Sequence, residues 1–97
     1  MKNKTPITVE YLEKQGFEHD MMVEEEGGVT RNGSPFLYLT SPDGRISIHN
    51  STNLPDSDMF LAWNVHVDNE DMDTLAMFDV NCLEDANTIL GVYNLKI

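Results

Sequence analysis

From Leu61 to Val67 the chain alternates between two sets of side chains, Leu61, Trp63, Val65 and Val67 in one and Ala62, Asn64 and His66 in the other. Successive side chains leave opposite faces of a strand, so this spacing predicts a half-buried antiparallel strand with the first set against a core. The run Asp68, Asn69, Glu70, Asp71, Met72 and Asp73 then ends it in a solvated acidic turn. Upstream, Phe36 to Thr40 and Arg45 to His49 flank Ser41-Pro42-Asp43-Gly44, a tight reversal with proline second and glycine last. The flanks predict a hairpin with Ile46 and Ile48 inward and Arg45, Ser47 and His49 outward. Asn32-Gly33 marks an earlier turn, and the polar stretch Asn50 to Asp58, interrupted by Pro55, reads as a loop. Thr74 to Val80 places Ala76, Phe78 and Val80 on one face and Leu75 and Met77 on the other. That pattern fits a strand covered on both sides or used in a homo-oligomer contact.

Helical spacing is confined to the two ends. Thr8 suits an N-cap, with Val9, Tyr11 and Leu12 on one face of a two-turn helix, Gly16 as its left-handed stop and Phe17 folding back on its last turn. Asn81-Cys82-Leu83-Glu84 has the spacing of a capping box, and Leu83, Ala86, Asn87, Leu90 and Tyr93 follow at helical intervals. Between Phe17 and Gly28 a weak strand pattern meets Glu24, Glu25, Glu26 and two glycines, which reads as a loop. The expected fold is α+β, an antiparallel meander of four to five strands with an N-terminal and a C-terminal helix on one face, in a single domain spanning residues 1–97. The expected core is Leu12, Phe17, Leu37 or Phe36, Ile46, Ile48, Leu61, Trp63, Val65, Val67, Leu83 and Leu90.

Charge narrows the range of partners. Seventeen acidic against six basic residues give a net charge of −11, which repels nucleic acid and an anionic membrane surface alike. No stretch approaches the roughly 18 apolar residues of a membrane span, and no apolar run follows the N-terminal lysines as in a signal peptide. With Cys82 as the sole cysteine, the expected compartment is the cytoplasm.

Catalytic chemistry has little to build on. Cys82 opens a helix but has Glu84 and Asp85 beside it and no local base. Gly27 and Gly28 lack the lysine and the strand-loop-helix setting of a phosphate loop, and no cofactor motif is present. The acidic run 68–73 lacks the glycine and the distant glutamate of a calcium loop. His66 and Asp68 share one strand face, and His49 lies outward on a strand that could adjoin it. These three form the candidate metal set. Two acidic groups, Glu24, Glu25 and Glu26 and then Asp68, Glu70, Asp71 and Asp73, form the candidate surface for a basic protein partner, provided the fold unites them.

The opening Ile7-Thr8-Val9-Glu10-Tyr11-Leu12-Glu13-Lys14-Gln15-Gly16-Phe17-Glu18 and the closing Val80 to Leu90 segment resemble small acidic proteins of gut-type bacteria and their phage or mobile elements. Those relatives begin with a Trp/Tyr-Leu-x-x-x-Gly-Phe helix and end with a leucine-bearing helix. The resemblance implies a bacterial cytoplasmic accessory protein and transfers no catalytic residue. The sequence therefore leads to a non-catalytic acidic interaction domain, with divalent-metal binding through His49, His66 and Asp68 as the alternative.

Overall fold

The computed structural model describes residues 5–29, 35–50, 63–69, 71 and 73–97. Thr8 Oγ1 accepts the Tyr11 amide at 3.1 Å and opens α1 (Val9–Lys14). Gly16 closes it at φ 93°, and the Phe17 amide returns to the Leu12 carbonyl at 3.0 Å, so the predicted stop and fold-back both form. β1 (Glu18–His19) follows, only two residues long.

The next segment departs from the expected loop. Asp20 caps a helix, α2 (Met21–Gly27), by accepting the Val23 amide on its carboxylate at 3.1 Å. Three adjacent glutamates argue against a helix by their repulsion, but Glu24 Oε2 is taken up by the Tyr38 amide at 2.9 Å and by His19 Nδ1 at 2.6 Å. That tertiary capture stabilises a helix the local sequence disfavours. Gly27 is placed by contact as well, since a Cβ there would collide with the Phe36 ring.

β2 (Tyr38–Thr40) and β3 (Ile46–His49) make the predicted hairpin. Its turn is closed by Gly44, at φ 75°, donating to the Ser41 carbonyl at 2.9 Å. Asp43 accepts from the Ser41 hydroxyl at 2.7 Å and from the Arg45 amide at 3.0 Å. These donors, the hydroxyl first, hold its carboxyl below the ordinary aspartate value. β4 (Trp63–Asp68) and β5 (Thr74–Val80) complete a sheet of order β1-β2-β3-β4-β5, antiparallel throughout. Asn69 Oδ1 organises the acidic turn by accepting the amides of Asp71 and Asp73, each at 2.9 Å.

α3 (Leu83–Leu90) starts one residue later than the capping-box reading implies. Cys82, not Asn81, is the cap, its sulfur accepting the Asp85 amide at 3.4 Å. Glu84 reaches instead to the Thr5 amide at 2.6 Å, and the Leu83 amide donates to the Thr5 carbonyl at 2.8 Å. A contact remote in sequence thus replaces the reciprocal glutamate half of the capping box, while Cys82 keeps the local cap.

One sheet face carries the core. Leu39, Ile46, Ile48, Trp63, Val65, Val67 and Val80 meet Leu12 and Phe17 from the N-terminal part and Leu83, Ala86 and Leu90 from α3. Both terminal helices therefore cover the same face, as the meander requires. Within the hairpin the fully buried residue is Leu39; Leu37 is half-buried beside the core, and Phe36 turns toward the opposite face. The expected turn at Asn32-Gly33, residues 51–58 of the loop, and Leu61 lie outside the described residues.

Candidate functional site on the open sheet face

The strand registers arrange the second sheet face in two cross-strand rows. One runs Glu18, Thr40, Ser47, His66 and Met77, the other Tyr38, His49, Asn64 and Asp79. Neither row contains a lysine or arginine. Met77 is 61% exposed and its neighbour Leu75 49%. β5 is thus uncovered on this side among the described residues, and the reading that it is covered on both faces does not hold.

His49 and His66 sit in adjacent rows on neighbouring strands, so their rings meet diagonally. Their Nε2 atoms are 3.2 Å apart and their ring centroids 5.2 Å apart. Two neutral imidazoles at this distance share one proton, one Nε2–H donating to the lone pair of the other. Tyr38 stacks on His49 at 5.7 Å with 7° between the ring planes, and Phe36 approaches from a third direction at 5.7 Å. Burial under these rings, and next the charge that His66 can carry, push His49 below the ordinary imidazole value. Asp79 and the Asn64 carboxamide pull the other way. Asn64 Nδ2 donates to Asp79 Oδ1 at 2.8 Å.

Asp68, the third member of the predicted metal set, stands apart from the histidine pair. Its cross-strand neighbour is Thr74, whose hydroxyl donates to Asp68 Oδ1 at 3.1 Å. His49 lies opposite Asn64, four residues back along β4, which is roughly 13 Å at about 3.3 Å per residue. Among the described residues no group of three His, Cys, Asp or Glu side chains is arranged to hold a metal ion. The i, i+2 spacing of His66 and Asp68 put them on one face, but the register decided which way along β4 His49 would lie.

The acidic groups do not unite. α2 packs against β2, near the end where that strand begins, while the β4–β5 turn lies two strands away at the opposite strand ends. Glu25 and Glu26 are exposed at the first location, Asp71 and Asp73 at the second; Glu70 lies outside the described residues. Glu24 is not offered to a partner at all, because its side chain is 12% exposed and its carboxylate holds Tyr38 and His19.

His19 is a perturbed imidazole that sequence reasoning missed, and no local signal pointed to it. The hydrogen bond that its ring donates to the Glu24 carboxylate raises its pKa above the ordinary value, burial opposing and Glu13 assisting. A raised imidazole stabilises the fold fully below about 6.5, and that contribution is lost as pH rises through the native value. His49 works in the opposite sense, since a lowered imidazole costs stability as pH falls below about 6.5 toward its native value. The two are separated by following each ring by NMR. Glu24→Gln should bring the His19 titration back toward the ordinary value and leave His49 in place. An unmoved His19 would transfer the effect to Glu13.

No described helix is long and apolar enough to cross a membrane. Comparison with protein-family models, curated proteins and solved structures returned no match, so what this face does is argued from its geometry.

Proposed function

We propose that the chain is a non-catalytic interaction domain that takes a basic protein segment on the open sheet face, across Tyr38, His49, His66, Met77 and Asp79. The observation that carries this reading is the pair of cross-strand rows in which the exposed Met77 and the half-buried rings of Tyr38, His49 and His66 lie on one face with Glu18 and Asp79 and with no lysine or arginine among them. Lysine and arginine stems bury on surfaces such as Met77, and their charged heads favour aromatic faces such as Tyr38. The net charge of −11 adds long-range attraction for such a segment. The separated acidic groups at Glu25 and Glu26 and at Asp71 and Asp73 contribute to that field and are not the seat of binding.

A synthetic peptide rich in Arg and Lys, titrated into isotope-labelled protein, tests the assignment. Resonances of Tyr38, His49, His66, Met77 and Asp79 should move together, with binding weakened by salt and lost in Asp79→Lys. Shifts confined to Asp71 and Asp73, or binding unchanged in Asp79→Lys, would remove the open face from the account.

A further inference from the structure

We propose that His49 and His66 form a two-imidazole site for a divalent transition-metal ion, zinc in the first instance, bound through both Nε2 atoms with its remaining positions open to solvent. Zinc binds histidine nitrogen at about 2.0 to 2.1 Å in tetrahedral geometry, which sets two ligand nitrogens about 3.3 to 3.4 Å apart. The observed separation is 3.2 Å. Both Nε2 atoms must then offer lone pairs. The ring that donated the shared proton releases it to solvent from Nε2 and takes one up at Nδ1 as the ion enters, while the spacing of the two nitrogens stays close to that of a bound pair. Both ligands stand on adjacent, hydrogen-bonded strands, and His49 is further braced by the stacked Tyr38 ring. A pair held in this way loses little freedom on binding.

The neighbourhood suits a cation. The Asp79 carboxylate, in the same cross-strand row as His49, is tied to Asn64, the residue opposite His49. Imidazole pairs favour zinc, copper and nickel, whereas magnesium and calcium require sets of oxygen ligands. Because no third His, Cys, Asp or Glu completes the set among the described residues, the ion keeps exchangeable positions and binds more weakly than in a closed four-ligand site. The site shares His49 and His66 with the peptide-binding face, so a bound ion would oppose a cationic segment there; the zinc titration is made without peptide, and it can fail while the peptide titration succeeds.

The test adds zinc chloride to the intact chain in chelator-free buffer while the histidine rings are followed by NMR and the heat by calorimetry. The ring signals of His49 and His66 should move together and saturate at one equivalent, with His19 unmoved and magnesium chloride without effect. His49→Ala and His66→Ala should each lose the zinc response, and Asp68→Asn should keep it. Should either alanine variant misfold, the wild-type ring pattern still decides the matter. Silence from both rings, a response at His19 instead, or zinc binding that survives in both alanine variants would overturn the assignment.

Discussion

Trp63→Ala should cost about 3 to 5 kcal/mol, a large share of the roughly 5 to 15 kcal/mol that holds a small domain together. Two losses combine. The ring is 7% exposed, sits opposite Val80 at the start of β4, and is part of the core beneath the terminal helices. Its removal leaves a cavity that neighbours anchored in two strands and α3 can close only in part. The indole Nε1–H also donates to the Ile7 carbonyl at 3.0 Å in a buried position, tying down the segment that leads into α1. Alanine leaves that acceptor without its donor. Urea unfolding measures the sum, and Trp63→Phe divides it, because phenylalanine keeps most of the volume and none of the hydrogen bond. A Trp63→Ala midpoint close to that of the parent would mean that the ring is not in the core.

Leu12→Ala should cost about 2 to 5 kcal/mol and detach α1 in particular. A helix of six residues has no stability of its own in water, and Leu12 is the one residue of α1 that is fully buried. The remaining ties, the Thr8 cap, the partly buried Val9 and Tyr11, and the bond from the Tyr11 hydroxyl to the Ile97 carbonyl at 3.3 Å, lie at the edge of the core and do not replace the layer that Leu12 fills. Amide hydrogen exchange should show protection lost across α1 while β3 and β4 stay protected. Met77→Ala, on the exposed outer face, should change stability by no more than about 0.5 kcal/mol. Equal losses in the two variants would contradict the assignment of faces.

Much of the fold could be read from short-range pattern. The alternation through Trp63, Val65 and Val67, the Ser41-Pro42-Asp43-Gly44 reversal and the Thr8 to Gly16 helix each state a local geometry that a core can accept without adjustment. α2 and the α3 cap were misread because their decisive partners are remote. Tyr38 and His19 neutralise Glu24 from β2 and β1, and Thr5 takes Glu84 away from a capping role. Phe36 likewise left the expected core for the open face, where the end of α2 and His49 receive it.

The candidate site divides in the same way. Sequence placed His49 and His66 on outward strand faces, since the period of two assigns a face without knowledge of any neighbour. It could not place them against each other, nor move Asp68 away, because register is settled by which residues of β3 and β4 share a core layer. Nor could it keep the two acidic groups apart. That separation follows from strand order, with α2 beside β2 and the β4–β5 turn at the far strand ends. The chain by itself determined the faces, the turns and the net charge, which depend on neighbours within a few residues or on composition alone. Tertiary structure alone decided the Nε2 contact of the histidine pair, the capture of Glu24 and the raised His19, because each needs side chains from separate elements held within hydrogen-bonding distance.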